Sequence, residues 1–296
     1  MSARILEGAP VAQAILEEAK ASVARLASKG VQPTLALVRV GEDPASIVYL
    51  RKKREACAAI GIRSVDLEYP AGIGQAALLE TIGRLNADPA THGILVQFPL
   101  PAGFDQDAAV QAIDPDKDVD GFHPLNAGRL AAGLDGFIPA TPLGVAILLK
   151  RSGIDLGGRL TVILGRSNVV GRPLANLLSR KHPGLNATVL LAHSASGDLS
   201  RYTKEADVVI AAMGRPGSVT GSMLKPGAVV VDVGINRVPD PTRSSGSRLV
   251  GDVDFESARL VAGAITPVPG GVGPLTVACL CRNTAAAAAG EWSEIG

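Results

Sequence analysis

Short apolar runs alternate with stretches of helical periodicity twice along this chain, and that order leaves few folds open. From residue 33 onward come TLALVRV (Thr34–Val40), a helical stretch from about Ala45 to Ile60, RSVDLEY (Arg63–Tyr69), a second near Gln75–Asn86, and GILVQF (Gly93–Phe98). Strand–helix–strand order of this kind implies right-handed crossovers and a parallel sheet with helices on both faces. After the proline-containing stretch Ile138–Pro142 the pattern restarts, with strands expected at RLTVILG (Arg159–Gly165), ATVLLAH (Ala187–His193), ADVVIAAMG (Ala206–Gly214) and GAVVVDVGI (Gly227–Ile235). The expected class is therefore α/β, and 296 residues with 47% hydrophobic content suit two such domains. The alanine-rich end, about Leu275–Glu291, is expected to form one helix packing back on the first domain, because alanine is the strongest helix former and no proline interrupts it. PDPTRSSGSR (Pro239–Arg248) has the composition of a surface loop.

Charge and cysteine usage narrow the partners. Lys plus Arg number 29 against 28 Asp plus Glu, so the overall field offers nothing to nucleic acid or an anionic membrane, and a small-molecule site fits better. Cys57, Cys279 and Cys281 contain no C-x-x-C pair and leave one thiol over, which indicates neither a disulfide framework nor a zinc site, and no other metal is expected. The start, MSARILEGAP, lacks an apolar core of secretory length, and no run approaches the ~20 apolar residues that span a bilayer. A soluble, cytoplasmic protein is expected. Aromatics make up only 3%, which makes Tyr49, Phe98 and Phe104 candidates for ring stacking, with core packing the commoner use.

GRSNVVGRP follows the strand at Arg159–Gly165 and places Gly165, Arg166, Ser167 and Gly171 before a helical run. A glycine turn at a helix N-terminus directs backbone N–H groups and the helix dipole at a pyrophosphate. Ser167 stands where the second glycine of G-x-G-x-x-G would be, so an ordinary β-to-α turn remains the alternative on this segment alone. The next strand ends at His193-Ser194 instead of the Asp or Glu that holds the ribose of NAD. With Arg166 available for a 2'-phosphate, NADP is the expected cofactor; the competing possibility is a solvated Arg166 and a His193 that only fills the strand end.

Tyr49 and Lys53, in SIVYLRKK (Ser46–Lys53), are four residues apart and share a helix face, which Lys52 does not. A lysine in an apolar cleft has its pKa lowered and becomes a usable acid or base near neutrality, although a Tyr–Lys pair at this spacing is usually structural. Gln97 ends the strand GILVQ, where parallel sheets place ligand contacts; its neutral amide could hold an uncharged lysine without a carboxylate to raise the lysine's pKa, or simply cap backbone groups. In KDVDGFHPLNAGRL (Lys117–Leu130), Asp120 lies between a valine and a glycine turn and is expected to be semi-buried, where it could accept two N–H bonds from a flat heterocycle. Asp114, Asp116 and Asp118 look like a solvated acidic loop.

With GILVQFPLP (Gly93–Pro101) and PVPGGVGPLT (Pro267–Thr276), these segments closely resemble the bifunctional methylenetetrahydrofolate dehydrogenase/methenyltetrahydrofolate cyclohydrolase (FolD) family over nearly the whole chain. The resemblance implies two α/β domains flanking a cleft, the second a Rossmann-like doubly wound parallel sheet. The folate-binding catalytic domain would be residues 1–140 completed by the C-terminal segment 268–296, with an NADP-binding domain at 141–267 and a homodimer formed through the Rossmann domains. It also implies Lys53 as the catalytic lysine, Gln97 as its partner, Tyr49 stacking on the aminobenzoyl group and Asp120 anchoring the pterin. Pro267, Gly271 and Gly273 would line the junction of folate and nicotinamide. Gly165, Arg166, Ser167, Gly171, His193, Ser194, Gly214 and Ile235 would hold the cofactor. The implied chemistry is oxidation of 5,10-methylenetetrahydrofolate with NADP, then hydrolysis of the methenyl product to 10-formyltetrahydrofolate. Two departures stand out: Ala195-Ser196, where the family commonly has a basic residue and Thr, and the longer connection SRKHPGLNA (Ser179–Ala187), expected to extend a helix or surface loop. The rivals are a single-activity relative, another two-domain dehydrogenase acting on an amino acid or shikimate, and a non-catalytic nucleotide-binding protein.

Overall fold

The computed structural model describes residues 2–243 and 246–295. Eleven strands occur among them: β1 (Arg4–Ile5), β2 (Thr34–Val40), β3 (Arg63–Tyr69), β4 (Gly93–Val96), β5 (Leu160–Leu164), β6 (Thr188–Ala192), β7 (Val208–Ala211), β8 (Val229–Asp232), β9 (Asn236–Pro239), β10 (Ser247–Val250) and β11 (Ala264–Ile265). The chain divides into two compact units, one made of residues up to Ala12, Thr141–Thr276 and Ile295, the other of Gln13–Ala140 and Val277–Glu294. No helix among the described residues is long and apolar enough to cross a membrane.

The second of these units holds a parallel three-stranded sheet in the order β3-β2-β4. Central β2 is buried at every position but Arg39, so Leu35, Ala36, Leu37 and Val38 face packed layers on both sides. Fully burying each leucine or valine contributes about 1.5–3 kcal/mol. Helix Pro44–Ala59 links β2 to β3, and helix Gln75–Ala87 links β3 to β4. The first of these starts where Asp43 accepts the Ser46 N–H at 2.7 Å and Pro44 sets the first helical φ. A cap of this type is worth about 0.5–2 kcal/mol and sets the phase of everything that follows on the helix. Phe98 and Phe104 pack against the core around Val38, Ile82 and Val96. Helix Gly273–Ala289 contributes Asn283, wholly buried, whose amide donates to the carbonyls of Val119 at 2.9 Å and Ile138 at 3.1 Å.

The other unit carries a six-stranded sheet in the order β1-β11-β8-β7-β5-β6, parallel throughout. From β5 the chain moves out to β6 and then returns to β7 on the opposite side of β5. That reversal creates the crevice at the carboxyl ends of the strands where doubly wound sheets bind their ligands. The four strands expected here all form; β1 and β11, two residues each, carry too short a pattern to stand out.

One local expectation needs correction. Pro239–Arg248 is not an unpaired loop, because its flanks belong to the antiparallel pair β9–β10; Ser244 and Ser245 lie outside the described residues. This two-stranded ribbon buries none of its residues, so it is held by backbone bonds and leaves little apolar signature. Of the two readings of Ser179–Ala187, the loop is the one that forms: the preceding helix ends at Leu178, and the segment turns through Asn186 at φ 69° and buries Leu185.

Candidate active and cofactor sites

Helix phase brings the first group together. Tyr49, Lys53 and Cys57 follow one another at intervals of four along helix Pro44–Ala59, whereas Arg51 and Lys52 on other faces are exposed. Lys53 is 8% exposed, and its Nζ donates to Gln97 Oε1 at 3.1 Å. Gln97 Nε2 donates to the Phe98 carbonyl at 2.7 Å, which turns the amide so that its oxygen meets the lysine. Burial pushes the Lys53 ammonium below its usual pKa, opposed by the charges of Asp120 and Cys57. Burial likewise pushes Asp120 up to about 6, tempered by Lys53 and reinforced by Asp118. The amide therefore does not insulate the lysine from carboxylates; Asp120 is close enough for each group to feel the other's charge. Tyr49 is 36% exposed, and burial raises its phenol pKa.

Asp118 is not a solvated acid. It is 1% exposed and accepts N–H bonds from Phe122 at 3.2 Å and His123 at 2.8 Å, and from Asn126 Nδ2 at 2.9 Å. The reason is tertiary: Ile94 N–H donates to the Lys117 carbonyl at 2.8 Å, which draws this segment against β4 and takes Asp118 inside. By folding the Phe122–His123 turn around itself, Asp118 shapes the backbone that carries Asp120. Sequence reasoning also passed over Cys57, whose Sγ lies 3.7 Å from that of Cys281. The Cys281 hydrogen bond and the Lys53 charge pull the Cys57 thiol down despite its burial. The four-residue spacing from Lys53 was a signal for it.

In the other unit the glycine turn follows β5 directly. Gly165 has φ +117°, and a Cβ there would lie 2.1 Å from the Ala212 carbonyl oxygen; one on Gly171 would lie 1.9 Å from the Gly165 oxygen. Neither position admits a side chain, so backbone alone forms the cradle at the start of helix Gly171–Leu178. Ser167 Oγ accepts the Val170 N–H at 3.1 Å, closing the turn from within, and Arg166 is exposed beside it. These features suit a pyrophosphate. His193 follows β6; its Nδ1 accepts the Ala195 N–H at 3.2 Å and its own N–H donates to Ser196 Oγ at 2.9 Å, leaving Ser194 exposed. Gly214 lies exposed after β7 and Ile235 exposed after β8. A Cβ on Gly273 would sit 3.7 Å from Ile235 Cδ1, and Gly271 N–H donates to the Pro267 carbonyl at 2.8 Å, so these four residues form one neighbourhood.

Residues 6–120 match the tetrahydrofolate dehydrogenase/cyclohydrolase catalytic domain, and residues 139–291 match the NAD(P)-binding domain of the same enzymes. The chain belongs to the tetrahydrofolate dehydrogenase/cyclohydrolase family. It is 53% identical to the bifunctional protein FolD of Parvibaculum lavamentivorans over 97% of this chain and 96% of that one. Its fold is similar to the crystal structure of the bifunctional enzyme FolD from Campylobacter jejuni, with a TM-score of 0.92 at 46% identity over 98% and 99% of the two chains. It is similar also to the Trypanosoma brucei methylenetetrahydrofolate dehydrogenase-cyclohydrolase complexed with NADP and an inhibitor, at TM-score 0.90, 42% identity and 96% of each chain.

Gly171→Ala is expected to weaken dinucleotide binding at least tenfold, because the new methyl must displace the Gly165 carbonyl from the cradle, an overpacking strain of about 1–3 kcal/mol. Calorimetric titration of the variant with NADP measures this; unchanged affinity would mean that the turn takes no part in binding.

Proposed function

We propose that this family member is a bifunctional one-carbon folate enzyme that oxidises 5,10-methylenetetrahydrofolate to the 5,10-methenyl cation with NADP and then hydrolyses that cation to 10-formyltetrahydrofolate. The observation that carries the reading is the buried Lys53, held by Gln97 and sharing its site with Asp120. When bound, NADP accepts the hydride of the first step. Lys53, with its pKa lowered, takes a proton from the water that adds to the methenyl carbon and returns it to the departing ring nitrogen. Gln97 keeps the amine in place, Asp120 accepts N–H bonds from the pterin, and Tyr49 stacks on the aminobenzoyl ring. Gly165, Ser167 and Gly171 cradle the pyrophosphate, with His193, Ser194, Gly214 and Ile235 completing the cofactor contacts. Pro267, Gly271 and Gly273 line the approach of folate to nicotinamide.

NADP is preferred over NAD in this reading because no carboxylate ends β6 to repel a 2'-phosphate, while Arg166 is exposed to meet it. Residues 1–140 with 268–296 would form the folate domain and 141–267 the cofactor domain. The enzyme would act as a homodimer through its cofactor domains, in the cytosol, where its three buried thiols stay reduced. Two spectrophotometric assays test the proposal: methylenetetrahydrofolate oxidation with NADP or NAD, and hydrolysis of methenyltetrahydrofolate supplied alone. Activity in both, with a lower KM for NADP, is expected. A response in only one assay would reduce the protein to a single-activity enzyme, and a lower KM for NAD would overturn the cofactor choice.

A further inference from the structure

Two carboxylates outside the folate chemistry lie buried in the six-stranded unit, Asp232 at 3% and Asp252 at 0% exposure. Asp252 gathers the N–H groups of three successive residues, Met213 at 2.6 Å, Gly214 at 2.9 Å and Arg215 at 2.8 Å, together with Asn236 Nδ2 at 2.8 Å. An ionised carboxylate offers about four acceptor sites, and all are used here. Asp232, the last residue of β8, accepts the N–H groups of Asp252 at 3.0 Å, Val253 at 2.9 Å and Gly234 at 2.9 Å. Its own N–H donates to Thr266 Oγ1 at 2.7 Å. A continuous chain of bonds therefore runs from Thr266, next to Pro267, through Asp232 to Asp252 and on to the turn after β7, with a branch to Gly234 beside Ile235.

The backbone is built around these two side chains. A Cβ on Gly234 would come within 2.4 Å of Asp252 Oδ1, and one on Gly251 within 1.8 Å of Asp232 Oδ2. Burial pushes the Asp232 carboxyl up to about 6 against the pull of its three backbone bonds, and Asp252 beside it adds to the rise. Holding two acids this close in a dry interior is costly unless each has its donors met. The three backbone donors of Asp252 follow β7, and Gly234 and Asn236 follow β8, at the edge where a doubly wound sheet receives its ligand.

We infer that Asp252, itself held by Asp232, is a positioning residue for the dinucleotide: it sets the backbone of Met213–Arg215 and the side chain of Asn236, and through them the Gly214 and Ile235 contacts. The inference rests on the cofactor reading given above. Only an acceptor with no donor of its own can take all four bonds, because the amide of an asparagine would set N–H against N–H.

Asp252→Asn in the full chain provides the test. The Kd for NADP, measured by calorimetry, and the KM for NADP are expected to rise at least tenfold, with a similar loss for NAD because the turn serves both. Hydrolysis of methenyltetrahydrofolate, assayed with no nucleotide, is expected to stay within twofold. An unchanged Kd in a variant that still hydrolyses the methenyl substrate overturns the inference. Should Asp252→Asn not fold, Asp232→Asn decides, since Asp232 makes no hydrogen bond to the Met213–Arg215 turn and reaches it through Asp252, its other link to the site being the Gly234 N–H beside Ile235. A smaller rise in Kd with hydrolysis intact supports positioning; a variant that keeps its affinity, or the failure of both variants to fold, assigns the pair to structure alone. Absence of NADP binding in the unaltered protein would instead sink the cofactor reading.

Discussion

Lys53→Met is expected to lower methenyl hydrolysis by about two to four orders of magnitude, the usual contribution of a positioned general acid–base group. Methionine keeps much of the apolar stem that packs on helix Pro44–Ala59 while removing the amine that Gln97 holds at 3.1 Å. Oxidation should fall less, because that step depends on orientation against the cofactor more than on proton transfer. Burial disfavours the charged lysine, so its neutral form becomes available below the pH at which an exposed lysine loses its proton. Hydrolysis by the unaltered enzyme should accordingly rise with pH as Lys53 deprotonates, and the variant's residual rate should lack that rise. Stopped-flow absorbance of the methenyl chromophore across a pH series measures both. Wild-type rates from the variant would remove Lys53 from the chemistry.

The second large effect is expected at Asp120, and it splits binding from stability. With Asp120 as the proposed pterin anchor, Asp120→Ala is expected to leave the pterin donors unpaired, at a cost of about 2–5 kcal/mol of folate affinity, or about 30-fold to several thousand-fold in Kd, if both bonds are buried. The free protein should respond in the opposite direction. The folded carboxyl titrates at about 6, above its value of about 3.9 in an unfolded chain, so the folded state holds the proton more tightly. The resulting stability is fully present below about pH 3.9 and is lost as pH rises through 6. At neutral pH the ionised group is thus a net burden of up to about 3 kcal/mol, even with Lys53 partly offsetting it. Asp120→Asn, which keeps the shape and removes the charge, should flatten the stability profile between pH 4 and 7. Denaturant melts across that range, paired with folate titrations, check both halves. Unchanged folate affinity for Asp120→Ala would exclude it from the binding site.

Much of the architecture is a one-dimensional signal. The alternation of apolar runs announced β2, β3 and β4 and then β5 to β8; strands buried on both faces, such as β2, β4, β7 and β8, must be nearly continuous in apolar residues, whereas edge strand β3 buries none of its residues and shows mixed polar and apolar positions. The phase of a single helix separates Lys53 from Lys52, since a residue four positions from Tyr49 shares its face whatever packs there. The glycine turn is legible for the same local reason: the atoms that exclude a side chain at Gly171 belong to Gly165, six residues away. Asp118 and Asp252 lie beyond such reading. Nothing within DKDVD distinguishes the buried Asp118 from the exposed Asp116; the pairing of Lys117 with Ile94 does. Asp252 takes its three backbone donors from residues 37 to 39 positions earlier in the chain, brought to it by the return of the fold from β6 to β7 and β8. Periodicity and turn chemistry are properties of neighbours along the chain, and they determined the strands, the helix faces and the nucleotide turn. Which acids are buried, and what they hold, was decided only when the sheets closed, because the pKa of a carboxylate depends on donors and charges that distant segments supply.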